Sequence, residues 1–303
     1  MNLIKNLTNL KNNINFDDNG LQELSQDTLR ALQLTLTEMM MDVIAVCEQE
    51  GIEVFLLGGS CLGAVRHKGF IPWDDDIDIG MTRDSYQRFI PVFEKMLSDR
   101  YILNAPNYSE TVLFRFPKIL KKDSYLDCGT TDDPELCKVF MDIFIVDRIP
   151  ENAVRRKLKG LHCDFLEFIS SQVALIEYAD EVTRRHYTSY GRASYLVRRI
   201  VGRLFSFKKS SFWYSRVDKA VQYRKDSTLW GLPTGSRHYS GEIFSQNVFL
   251  PVSYGEFEGS RVPLVHAPDV YMKNLYGDYM QIPPLEKRQK HYVRKLRLSN
   301  VDS

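Results

Sequence analysis

The stretch Phe70-Ile71-Pro72-Trp73-Asp74-Asp75-Asp76-Ile77-Asp78-Ile79-Gly80 places four carboxylates within five residues, between Trp on one side and Ile on the other. Like charges this close repel, and burying any of them unpaired is costly. The apolar flanks argue against a solvated acidic tail, so a cation must compensate. Mg²⁺ or Mn²⁺, held through carboxylate oxygens, is the simplest choice. Acid and apolar residues alternate from Asp76 to Met81, which predicts a strand. On that strand Asp76 and Asp78 share one face, while Ile77 and Ile79 point into the core. The plainer alternative is a turn with Asp caps.

Just upstream, Leu56-Leu57-Gly58-Gly59-Ser60 reads as a strand, Glu53 to Leu57, breaking into a short helix through His67 with Ser60 as its N-cap. Glycines let a backbone approach a phosphate, and a helix start offers free N–H groups to an anion. Gly58, Gly59 and Ser60 are therefore candidate phosphate contacts. Arg66, His67 and Lys68 lie between this junction and the acidic stretch. Arg66 either forks onto phosphate oxygens or pairs with Asp74 or Asp75.

Farther out, Ser25 to Glu50 carries apolar residues at helical spacing and stops at Gly51. Thr82 to Ser98 predicts a second helix, and Tyr101–Asn104, Thr111–Leu120 and Val139–Asp147 predict extended segments. Residues 121–138 read as an irregular excursion. From Asn152 to about Tyr223 the pattern is mainly helical, with short helices expected at Val270–Tyr276 and Glu286–Leu298. The fold class that follows is α+β: a small mixed sheet flanked by helices, with a mainly helical C-terminal half packed on it. The expected division is an extension over 1–24, a catalytic core over 25–150, and an acceptor- and donor-binding part over 151–303.

Composition excludes classes rather than naming one. In 303 residues, 40 basic side chains face 39 acidic ones, a formal charge of +1, which argues against a nucleic-acid partner. Seventeen Phe and sixteen Tyr argue against disorder. Five cysteines without a CxxC pair read as free thiols in a reducing cytoplasm. Neither a signal peptide nor a long apolar run is evident, so a cytoplasmic location is expected. Arg192 to Lys219 holds eight Lys or Arg against the one acid Asp218, interleaved with apolar residues. Such a stretch either lies peripherally on the inner face of the membrane or is a packed helix with a solvated basic face.

The block Gly58 to Asp78 closely resembles the LicD family of bacterial phosphocholine transferases, which includes the fukutin-type ribitol-phosphate transferases, within the nucleotidyltransferase superfamily. Phe257-Glu258-Gly259, Val262-Pro263, Tyr271, Leu275-Tyr276-Gly277-Asp278-Tyr279-Met280 and Pro283-Pro284 are similar to the family's closing motif. The likeness spans about residues 25 to 295. It is motif-free over 152–245, where acceptor specificity is expected. It implies a nucleotidyltransferase-type sheet with a third carboxylate on a later strand. Asp142 is the first choice, because an apolar strand is a poor place for a charge without a metal partner; Asp147 is the weaker one.

The implied reaction moves a phospho-alcohol, phosphocholine foremost, from a CDP-linked donor to a hydroxyl of a cell-surface glycan or its lipid-linked precursor, releasing CMP. Asp76, Asp78 and Asp142 would be catalytic metal ligands, with Asp74 as a further ligand or an orienting residue. Two ions of Mg²⁺ or Mn²⁺ would act as cofactors. Asp142 is the choice for accepting the hydroxyl proton. Gly58, Gly59, Ser60 and Arg66 would hold donor phosphates. A choline donor calls for an aromatic cage, to which Trp73, Trp213 or Trp230 could contribute. Rival readings are a nucleotidyltransferase that uses an NTP such as CTP and releases pyrophosphate, and a non-catalytic nucleotide-binding protein.

Overall fold

Helix α1, Gln26–Gln49, buries Leu32, Leu36, Met39, Met40, Val43, Ile44 and Cys47, the stripe its spacing predicts. Ser25 caps it by accepting the Thr28 N–H at 3.1 Å, and Gly51 leaves it at φ +61°. These details come from a computed structural model that describes residues 22–128, 137–178, 192–288 and 292–298. Most of the expected extension, residues 1–21, lies outside that set.

A nine-stranded mixed sheet carries the core. Its strands are β1 (Phe55–Leu56), β2 (Asp78–Thr82), β3 (Tyr101–Asn104), β4 (Lys118–Lys121), β5 (Phe140–Arg148), β6 (Leu229–Gly231), β7 (Ile243–Ser245), β8 (Ser253–Phe257) and β9 (Ser260–Leu264). The order is β8-β9-β1-β2-β5-β4-β3, and β6 joins β5 to β7. Strands β2 and β5 run parallel with Asp78 beside Asp142, and β4 lies antiparallel on β5 with Lys118 also beside Asp142. The sheet thus extends past residue 150, because β6 to β9 belong to it.

Helices α2 (Gly58–His67) and α3 (Arg83–Met96) follow β1 and β2. The helical part comprises α4 (Ala153–Tyr178), α5 (Arg192–Phe205) and α6 (Ser210–Val221), and α7 (Pro268–Tyr276) comes last. Around Ile149, α4 and α6 bury Cys163, Leu166, Ile169, Trp213 and Val217 in a second core. The α+β class is as expected, and helices α4 to α6 open the C-terminal half before strands β6 to β9 return to the sheet.

Several local expectations are corrected. The strand expected from Glu53 is only Phe55–Leu56, and the segment expected from Thr111 pairs only from Lys118. Within the supposed excursion, Ser124–Asp127 pairs antiparallel with Lys295–Leu298, which overturns the helix expected over Glu286–Leu298. Lys295-Leu296-Arg297-Leu298 alternates outward and inward side chains, and that period-two pattern is satisfied only by a partner far away in sequence.

Candidate active site

At the β1–α2 junction the chain turns directly into the helix. Gly58 makes this possible, adopting φ +51°, where a side chain would be strained. The cap position is Leu57, not Ser60. The expected side-chain cap is unnecessary, because the Gly58 N–H donates to the Tyr271 hydroxyl at 3.3 Å. Ser60, buried in the first turn, accepts the Asp78 N–H at 2.9 Å and so ties α2 to the start of β2.

The glycines are also sites of close approach. A Cβ on Gly58 would collide with Oδ2 of Asp78, and one on Gly59 would lie 2.6 Å from Oδ2 of Asp74. Two carboxylates are therefore packed onto the first turn of α2, at the positive end of its dipole.

Asp76 does not share a strand face with Asp78. Strand β2 begins at Asp78, because β1 leaves the sheet at Gly58 and the β5 ladder ends with Asp142 N–H donating to Ile77 O at 2.9 Å. Asp76 instead groups with Asp74 and Asp75, all half-buried, with carboxylate oxygens of the three within 4.8 Å of one another. The acids thus form a half-buried loop cluster and a buried row, Asp78 and Asp142, each 4 % exposed.

The row holds a residue the sequence reading missed. The Lys118 ammonium pairs with Asp142 Oδ1, and both side chains are buried. It lies 3.6 Å from the Phe140 ring centroid, with Phe114 and Phe116 at 5.1 and 5.3 Å. Burial of Asp142 is thus compensated within the protein, so it does not by itself demand a metal. Asp147 answers to another cation: Arg83 contacts it at 2.6 Å and Asp218 at 2.7 Å. Burial raises the Asp147 pKa against the pull of Arg83.

Arg66 stands at the far end of α2, about 12 Å along the axis from Gly58 at 1.5 Å per residue. Its Nη1 donates to the carbonyls of Tyr279 at 2.6 Å and Gln281 at 3.4 Å. The structure brings Gly58, Gly59, Ser60, Asp74 and Asp78 together and places Arg66 apart. The tryptophans do not converge either. Arg288 covers Trp73 at 4.2 Å, Trp213 packs among Phe205, Phe207 and Phe212, and Trp230 donates to Ser227 O.

Two further residues close the cleft at Gly58 and Asp78. Glu242, 3 % exposed, and Tyr271 both line it. Burial first, and then Glu242, push the Tyr271 pKa well up, so its hydroxyl stays protonated. Cys61 lies behind the junction with its thiol pushed up to about 12 by burial, which removes it as a nucleophile.

The acidic loop is tethered from outside. Gln33 Nε2 donates to Asp74 O at 2.9 Å. Glu258 accepts the Phe70 N–H at 3.2 Å and Arg30 Nη2 at 2.6 Å, and the Arg30 hydrogen bond lowers its pKa. Glu258 and Gly259, at φ +50° and +74°, form the tight turn joining β8 to β9.

A glycine-opened helix thus packs on a carboxylate-bearing strand, with a second carboxylate in register on the neighbouring parallel strand. The family described as LicD/FKTN/FKRP, nucleotidyltransferase domain, matches residues 51–145. The lipopolysaccharide cholinephosphotransferase LicD of Haemophilus influenzae is 30% identical over 277 residues, 88% of this chain and 97% of that protein. The chain belongs to the LicD family. The ribitol 5-phosphate transferase FKRP of Homo sapiens is 47% identical over 53 residues, 18% of this chain and 10% of that protein. An uncharacterized protein of Rickettsia prowazekii is 28% identical over 122 residues, 39% of this chain and 41% of that protein.

Proposed function

We propose that the protein transfers a phospho-alcohol, phosphocholine foremost, from a CDP-linked donor to a glycan hydroxyl and releases CMP. The observation that carries this reading is the row of Asp78 and Asp142 set against the Gly58–Ser60 helix start. The relative that covers nearly the whole chain is by name a lipopolysaccharide cholinephosphotransferase, which supports phosphocholine as the transferred group and a glycan as the acceptor.

In this reading the acceptor oxygen attacks the phosphorus that bears the alcohol. A new O–P bond forms, and the P–O–P bond breaks with CMP keeping the bridging oxygen. The hydroxyl proton passes to a carboxylate of the row, Asp142 in our assignment. The N–H groups of Gly59 and Ser60, with the permissive backbone of Gly58 and Gly59, hold the donor phosphates. Asp74, Asp75 and Asp76 offer the hard oxygen donors that suit Mg²⁺ or Mn²⁺. Bound there, such an ion would supply positive charge to neutralise the donor phosphates. Tyr271 fixes the Gly58 N–H, and Glu242 walls the cleft.

The test is incubation with Mg²⁺ and CDP-choline, CDP-ribitol, CDP-glycerol or CDP-ethanolamine, scored by CMP release with and without a glycan acceptor. CMP release from one of these donors is expected, and Asp78→Asn should abolish it at an unchanged melting temperature. Undiminished release by that variant would sink the site assignment. Turnover of CTP with pyrophosphate release, and none of the CDP-alcohols, would replace the reading with an NTP-dependent one.

A further inference from the structure

We propose that α4, α5 and the start of α6 form a face that seats the protein on an anionic lipid bilayer. A helix on a globular core normally turns its apolar stripe inward. Helix α5 does the reverse. The inward side carries Tyr195, 9 % exposed, and Gly202, whose α-carbon abuts the Gln172 carbonyl and the Ile176 side chain of α4. The outward side carries Leu196, Val197, Ile200 and Leu204, exposed by 57, 55, 57 and 67 %. At about 100° per residue these four fall within an arc of roughly 100°. Arg203 runs along one border of that arc, with Arg199 beside it, half-buried with its guanidinium 5.6 Å from the Tyr195 ring centroid.

Helix α4 repeats the arrangement. Val154, Leu158, Leu161, Phe165 and Phe168 recur at alternating spacings of four and three, the period of one helical stripe, and all are exposed. Aromatic contacts join the stripes. Phe165 meets Phe205 at 6.5 Å, Phe205 meets Phe207 at 6.2 Å, and Phe207 and the 41 % exposed Phe212 of α6 both pack on the buried Trp213, at 5.9 and 5.2 Å. Phe207 itself is 69 % exposed. Single exposed apolar side chains need no explanation, but a continuous band across three helices does.

The charge around the band selects its occupant. From Arg198 to Lys219 the chain carries Arg198, Arg199, Arg203, Lys208, Lys209, Arg216 and Lys219 against Asp218 alone. Asp218 is bound inward to Arg83 at 2.7 Å. An apolar stripe with a cationic border matches acyl chains beneath anionic headgroups. A second copy of this chain would oppose arginine to arginine across the same stretch. Among the described residues no helix is long and apolar enough to cross a membrane, so the contact is peripheral.

The test is sedimentation of the full chain with vesicles of phosphatidylglycerol and phosphatidylethanolamine, and with phosphatidylcholine vesicles. Neither donor nor acceptor is present, so the result is independent of the proposed reaction. Binding to the anionic vesicles alone is expected, weakening as salt rises. Arg199→Gln and Arg203→Gln should each lower partitioning about fivefold at low salt. Ile200→Gln with Leu204→Gln should lower it about tenfold or more, because both lose buried apolar surface, at an unchanged melting temperature. Absence of anionic vesicle binding, equal binding to phosphatidylcholine, or full binding by the Ile200/Leu204 variant would overturn the proposal. Self-association through this face in place of vesicle binding would overturn it as well.

Discussion

Replacing Lys118 with Met removes the cation that meets Asp142 and leaves a carboxylate buried between strands. The Lys118 and Asp142 side chains are only 3 and 6 % exposed, so water cannot take over the role of the ammonium. Breaking one partner out of a buried pair costs about 3–5 kcal/mol. That is a large share of a stability of order 5–15 kcal/mol. At roughly 2–4 °C per kcal/mol for a domain of this size class, the melting temperature of Lys118→Met should fall by about 6–20 °C. The double variant Lys118→Met with Asp142→Leu removes both charges, and it should melt above Lys118→Met alone because no unpaired carboxylate is left. The assay is thermal unfolding of the parent, Lys118→Met, Asp142→Leu and the double variant, in EDTA and in excess Mg²⁺. Additivity of the two substitutions within about 0.5 kcal/mol would show that the residues are not coupled. Rescue of Lys118→Met by Mg²⁺ would show that a metal, and not the lysine, balances Asp142.

Gly58→Ala and Gly51→Ala separate backbone strain from carboxylate placement. Both glycines have positive φ, but an added Cβ meets nothing within 4 Å at Gly51 and runs into Asp78 at Gly58. Each should lose about 1–2 kcal/mol of stability to the left-handed backbone, while only Gly58→Ala should also lose turnover, by about a hundredfold for an ångström-scale displacement; equal turnover in the two would refute the role given to Gly58. His67 has its pKa lowered by burial and then by Arg66, whose Nε donates to its Nε2 at 2.9 Å. The unfolded chain therefore binds the proton more readily, so stability present above the unfolded pKa of about 6.5 is lost as pH falls from there to the lower folded pKa. Melting between pH 5 and 8 should show His67→Gln with a flatter profile than the parent, and parallel profiles would refute it.

Features set by local chemistry were legible in the sequence. Helix α1 announces itself through its buried stripe, the Gly58-Gly59 junction through its composition, and β5 through an apolar run interrupted by Asp142. Where the expectation failed, a distant residue decided. Ser60 reads as a cap until Tyr271 supplies the acceptor and Asp78 claims the hydroxyl. Asp76 reads as part of a strand until the departure of β1 at Gly58 removes its neighbour. The expectation of a metal at Asp142 could not point to Lys118, because their adjacency depends on the register of an antiparallel ladder 24 residues away. Glu242 lies in the motif-free stretch and gave no signal short of its buried position in the cleft.

The loop that carries Asp74, Asp75 and Asp76 is suspended from places far apart in the chain. Gln33 holds the Asp74 carbonyl, Glu258 holds the Phe70 N–H, and Arg288 lies on Trp73. All three anchors lie outside residues 51–145, the segment that matches the family description. The recognisable segment is consequently not a transplantable unit. Grafted into another scaffold, it would keep its acids and glycines but lose the supports that set their spacing, so any redesign of the site must carry α1 and the β8–β9 hairpin with it.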